Sequence, residues 1–210
     1  MPRDIEETPP AGSSAATTDG QLRRIVAVVA AANLAYFFVE FAVARRIGSV
    51  SLFADSIDFL EDASVNFLIV VALGWSVRNR ARVGMVLAAI LLIPAFALLW
   101  TAWQKFNAPT PPEPWLLSTT GLGALVVNLA CAALLAKFRH LAGSLTRAAF
   151  LSTRNDAFGN IAIILAGLLT LLWPSGWPDL IVGLGIAAMN ADAAREVWEA
   201  AREEHRSANG

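Results

Sequence analysis

Cysteine and histidine are almost missing from this chain. The single Cys131 lies in an apolar run, which excludes disulfides, thiolate metal sites and CxxC redox chemistry. The two histidines, His140 in a basic loop and His205 in a polar tail, stand outside every apolar segment. Net charge is also scarce: −1 over 210 residues leaves no electrostatic footprint for nucleic acid, so no nucleic-acid partner is expected. The start "MPRDIEETPPAGSSAATTDGQ" lacks the basic opening, short apolar core and small-residue cleavage site of a signal peptide. Its Pro, Ser, Thr and Gly content predicts a disordered cytoplasmic tail over residues 1–21.

What is abundant is apolar sequence. Hydrophobic residues make up 56% of the chain and charged ones 16%, with a mean hydropathy of +0.55. The apolar residues come in runs long enough for bilayer-spanning helices, which need roughly 20 residues each. Six segments qualify: 24–44, 50–76, 83–104, 115–136, 146–172 and 177–193. Between them stand "RRIGS", "RNRAR", the proline-rich "NAPTPPEP", "KFRHLAGS" and "WPSGWPD". The transmembrane domain is thus expected over 22–193, with a short cytoplasmic helix or tail over 194–210.

Lysine and arginine placement sets the orientation. With both termini inside, the cytoplasmic face collects Arg23, Arg24, Arg78, Arg80, Arg82, Lys137, Arg139 and Arg147 along with the basic residues of both tails. The outer connections hold only Arg45, Arg46 and Lys105. Trp100, Trp103, Trp115, Trp173 and Trp177 cluster at the ends of the outer turns, as interfacial aromatics do. The fold class expected is an all-α integral membrane protein, a six-transmembrane-helix bundle oriented N-in/C-in, in the cell (inner or plasma) membrane.

Against this background the stretch "ADSIDFLED" stands out. An ionisable group at mid-span costs roughly 2.5–3.5 kcal/mol on insertion scales, yet Asp58 and Asp62 fall near the middle of the second span and Asp156 near the middle of the fifth. At about 100° per residue, Ser51, Asp55, Asp58, Asp62 and Asn66 share an arc of roughly 80°. Asp58 and Asp62, at i and i+4, can converge on one point, whereas Glu61 lies off the stripe. In "FLSTRNDAFGN" Ser152 and Asp156 repeat the i, i+4 device, and Arg154 points to nearly the opposite side. The second and fifth helices run in opposite directions, so the two pairs can meet at similar depth. Three carboxylates that close need a counter-charge, which a divalent cation supplies and protons replace when it leaves. All-oxygen ligands suit hard or borderline divalent metals. The metal ligands expected are therefore Asp58, Asp62, Ser152 and Asp156. Asp55 is a path or proton-relay candidate, and Asn33, Glu40, Asn66, Asn128 and Asn155 are candidates for supporting groups.

These residues resemble the cation diffusion facilitators, six-helix proton-coupled exporters of divalent metals. "NLAYFFVE", with Asn33 and Glu40, is similar to that family's first helix, and "GSVSLFADSIDFLED" to its Gly-Ser…Ala-Asp signature leading into a [His/Asp]-x-x-x-Asp pair. "LVVNL" with Asn128 resembles the fourth helix, "FLSTRNDAFGN" the fifth-helix His-x-x-x-Asp pair, and "WPDLIVGLGIAAMNADAAREV" the sixth helix. The resemblance implies a divalent metal as transported substrate (Zn, Mn, Co, Fe or Cd), protons and the lipid bilayer as partners, no resident cofactor, and a homodimer as the assembly it would admit. Ser152 and Asp58 stand where histidine is common, which leans from zinc toward a harder metal such as manganese, cobalt or iron. The loop "VRNRARVG" carries no histidine, and the cytoplasmic metal-sensing domain that many members carry is not expected after the sixth helix. Two rival readings are a non-transporting metal-binding partner subunit of the same fold and an intramembrane aspartyl enzyme. No Gly-x-Gly-Asp segment accompanies either aspartate, so no catalytic residue is assigned.

Overall fold

A computed structural model of the chain is all-helical among the described residues, which are 11–72, 77–136 and 143–190, without the side chains of 11–19, 71, 72, 77–85, 87, 88, 91 and 143–155. Five helices run α1 (Ala11–Ile47), α2 (Val50–Ala72), α3 (Val77–Asn107), α4 (Pro114–Ala136) and α5 (Gly143–Leu172). A sixth, α6, covers 177–190. Among the described residues the six expected segments fall on these helices in order; 73–76 and 191–193 lie outside them. Helix α1 begins at Ala11, inside the stretch expected to be an unstructured tail. The segment 194–210 lies outside the described residues.

The polarity of the bundle is inverted relative to a water-soluble protein. Its outer surface carries Phe38, Ile93, Phe96, Leu99, Val126, Phe158 and Leu172, all exposed, while Asn33, Glu40, Asp55, Asn66, Asn128, Asn160 and Asp179 are buried. Water favours the opposite arrangement, and a hydrocarbon solvent favours this one. Trp100, Trp103, Trp115 and Trp173 are exposed as an interfacial belt requires, whereas Trp177 turns partly inward onto Phe106. Among the described residues two segments, Gly20–Ile47 and Pro114–Ala136, are long and apolar enough to cross a membrane by composition alone. Asp156–Leu172 is a shorter apolar stretch. Helix α2 is long enough, but its own acids dilute its hydropathy.

Local sequence explains the turns. Gly48 ends α1 at φ 63, and Ser49 N–H reaches back to Ala44 O at 3.1 Å, the Schellman closure that glycine allows. Ser49 then caps α2, its Oγ accepting Leu52 N–H at 3.1 Å. Glu113 caps α4 through Leu116 N–H, with Pro114 at the first helical position. The α3–α4 and α5–α6 turns lie against each other: Gly176 N–H donates to Pro109 O at 3.0 Å. A Cβ on Gly176 would meet the 109–110 backbone at 2.7–3.0 Å.

Small residues let the helices approach. Helix α1 packs on α2 and α4, α4 on α5, and α2 on α3 and α5. Gly121 admits Ile163, Gly123 admits the Tyr36 hydroxyl, and Gly183 of α6 lies against the Val50–Ser51 backbone, 2.6–2.7 Å from where its Cβ would be. Gly185, one step around α6, faces open space.

One buried knot fastens three helix ends. Asp179, fully buried in α6, accepts Ser49 Oγ and Ser51 Oγ at 2.6 Å each, Val50 N–H at 2.8 Å and Ser51 N–H at 3.2 Å. Lys105 Nζ, from the end of α3, completes it at 2.7 Å. At 4% exposure Lys105 is sequestered by Asp179. Removing one partner of such a pair strands a buried charge. Asp179→Ala should therefore cost about 3–5 kcal/mol, read as a fall in melting temperature of the detergent-purified protein. The double variant Lys105→Met/Asp179→Asn should recover part of that loss.

Candidate metal-binding site

Helix α2 carries the acidic stripe inward as its periodicity requires. Asp55 is 1% exposed, Asp58 and Asp62 are half-buried, and Asn66 is buried with its Nδ2 on Asp62 O at 2.8 Å. Glu61 faces outward and is exposed, in keeping with its off-stripe position. From α5 the half-buried Asp156 comes within electrostatic reach of Asp55, Asp58 and Asp62. The antiparallel meeting of the two helices thus occurs at the level of these carboxylates. Ser152, Asn155 and Arg154 lie outside the described side chains. Among the described residues no three His, Cys, Asp or Glu side chains are gathered tightly enough to hold a metal ion.

The supporting residues divide into groups. Glu40 of α1 is fully buried and lies close to the buried Asp55 of α2. Among the described residues neither Glu40 oxygen nor Asp55 Oδ2 has a conventional donor. Tyr36, one turn from Glu40, donates its hydroxyl to Thr120 O at 2.6 Å and stacks on Phe59, which fixes α1 against α4 and α2. Asn33 accepts Cys131 Sγ on its Oδ1 at 3.8 Å, while its Nδ2 and both amide atoms of Asn160 are buried without partners among the described residues. Asn128 is buried in α4. Polar groups from α1, α2, α4 and α5 therefore line one interior, several unsatisfied, and each such group costs about 1–3 kcal/mol unless something fills its hydrogen-bonding capacity.

Asp179 and Asn190 were not singled out in the sequence, and Lys105 only as a basic residue of an outer connection. Asn190 of α6 donates its side-chain amide to Asp58 Oδ1. Asp179 and Asn190 share one signal, helical spacing. Asp179, Gly183, Ile186 and Asn190 fall within about 60° of arc on α6, and all but the half-buried Asn190 are buried. The apolar context of "LIVGLGIAAMN" hides that pattern, because two polar residues three turns apart leave no visible stripe.

Comparison with known proteins bears on this geometry. Residues 26–203 match the sequence model of the cation efflux transmembrane domain. The chain belongs to the cation diffusion facilitator family. The matched model is that of a membrane-embedded domain. It is 24% identical over 155 residues to the zinc transporter ZitB of Escherichia coli (strain K12), covering 68% of this chain and 49% of that protein. The zinc transporter ZitB of Shigella flexneri matches to the same extent. The chain spans about half the length of the curated relatives it matches.

The closeness of Glu40 and Asp55 bears on stability. Glu40→Gln keeps a donor for Asp55 and should cost less than about 1 kcal/mol, whereas Glu40→Leu strands that carboxyl and should cost about 1–3 kcal/mol. Melting temperatures in detergent compare the two.

Proposed function

We propose that this protein moves a divalent metal cation out of the cytoplasm in exchange for protons, through a mid-membrane site of Asp58, Asp62 and Asp156 completed by Ser152. The observation that carries the reading is the approach of Asp156 on α5 to Asp58 and Asp62 on α2 inside a polar-lined bundle with an apolar exterior. Such a concentration of acids is costly in hydrocarbon unless a cation or protons compensate it. All six helices are read as spans, with both termini cytoplasmic on the basic-residue asymmetry. The cell membrane is its location, and a second copy of the chain its assembly partner.

The chemistry follows from the donors. Deprotonated carboxylates facing the cytoplasm attract the cation, and rocking of the helices about the midplane exposes the site to the other side. Protonation there removes the negative charge and releases the metal. Oxygen donors alone favour manganese, iron or cobalt over zinc more than an imidazole-containing set would. The relatives are named zinc transporters, which keeps zinc among the candidates.

Proteoliposomes under an imposed pH gradient, offered Mn, Fe, Co, Zn or Cd, test the reading. Asp58→Ala and Asp156→Ala should each reduce metal-dependent proton flux to background. Full flux in both variants rules the site out. The donor set further predicts that manganese is carried at a rate comparable to zinc, and complete rejection of manganese would contradict the lean toward harder metals.

A further inference from the structure

Helix α6 grips α2 at two levels. At the start of both helices Asp179 binds the Val50 and Ser51 amides, and Gly183 seats α6 directly on that backbone. Further along, Asn190 donates its side-chain amide to Asp58 Oδ1. The two helices thus run parallel, with Ile186 packed into the same core as Val50, Phe53 and Ala54 between the grips.

The two grips differ in charge. Asp179 is paired with Lys105, so its charge is cancelled and the contact is a fastening. Asp58 receives a neutral amide. An amide N–H fixes the rotamer of a carboxylate and satisfies one oxygen, but leaves its negative charge intact and the other oxygen free for a ligand. It also does not titrate, so it holds its partner whether a proton or a cation arrives. That is the behaviour required of a residue orienting a metal ligand, and a lysine or arginine in its place would cancel the charge the ligand needs. The facing atom of Asn190 must be its nitrogen, because its oxygen would repel an ionised carboxylate.

We infer that Asn190 is a positioning residue of the cation site, holding Asp58 from α6 and coupling that helix to a site otherwise built from α2 and α5. This rests on the reading of Asp58 as a cation ligand. The role sets affinity and not the rate of turnover at saturation.

The full-length protein tests it by two readouts: isothermal titration of Zn or Mn into detergent-purified protein, and flux in proteoliposomes. Asn190→Leu, similar in volume but without the amide, should raise both Kd and apparent KM by about 10–100-fold, with maximal flux unchanged within about twofold. Asn190→Gln keeps the amide and should recover part of the loss. Should the leucine variant fail to purify as a monodisperse species, Asn190→Ala carries the same expectation. Wild-type Kd in the Asn190 variants, with binding abolished by Asp58→Ala, overturns the role of Asn190 and leaves the site standing. A loss of maximal flux at unchanged Kd and KM also overturns it, since that is what a packing defect produces. Wild-type binding in Asp58→Ala overturns the site itself, and with it the role of Asn190.

Discussion

Five donors converge on the Asp179 carboxylate, and the arrangement of the bundle at that end follows from satisfying it. Two backbone amides come from the first turn of α2, two hydroxyls from Ser49 and Ser51, and an ammonium from the last turn of α3. A carboxylate in a medium without water must take its partners from protein. The residues able to reach it are those that Gly48 and Gly183 bring close: Gly48 by turning the chain sharply between α1 and α2, Gly183 by admitting α6 to the α2 backbone. The amides that Asp179 accepts are among those a helix N-terminus leaves unpaired. One side chain therefore completes the cap of α2, neutralises Lys105 and fixes the register of α6.

The middle of the bundle is built on the contrary principle. Glu40, Asp55, Asn33 and Asn160 are as buried as Asp179, yet retain polar atoms with no partner among the described residues. Asp58 is held by a neutral amide. A satisfied, charge-neutral end and an unsatisfied, acidic interior are what a helical bundle needs if it is to move while binding a cation. The end resists separation, and the interior keeps polar atoms without partners among the described residues, which on the proposed reading a cation or protons would satisfy. If every mid-helix carboxylate had a lysine partner, the bundle would be more stable but would have nothing to attract a metal.

Much of this was legible because periodicity in an apolar helix is conspicuous. The stripe Ser51, Asp55, Asp58, Asp62, Asn66 has the spacing of one helical face, and its inward orientation with Glu61 outside follows from the cost of exposing acids to lipid. The six helices were equally plain, since long apolar runs separated by Pro, Gly and Arg clusters have few other solutions. Asp179 and Lys105 were obscured by their position. Both sit at the ends of apolar runs, where charged residues are ordinary and are read as belonging to the interface. Only tertiary packing, with α3 and α6 delivered to the start of α2, turns them into a buried pair. Asn190 was obscured because its partner is 132 positions away and no local pattern marks it. Glu40 and Asp55 were each visible as polar residues, but their contact depends on the crossing of α1 and α2 and not on any spacing within either.

The absence of histidine from the apolar segments shapes how such a site could choose its metal. An imidazole contributes selectivity through its softness and directional lone pair, and oxygen donors have less of both. What remains is the placement of charge, which depends on how firmly each carboxylate is held. Side chains that hydrogen-bond the ligands do this in metalloproteins generally, and here Asn190 of α6 bonds Asp58 while the start of that helix is anchored through Asp179. A displacement of α6 relative to α2 would therefore loosen the anchor at the helix start and the carboxylate at the site together. On the proposed reading of the site, discrimination would then reside as much in the rigidity of the α2–α6 pair as in the identity of the ligands.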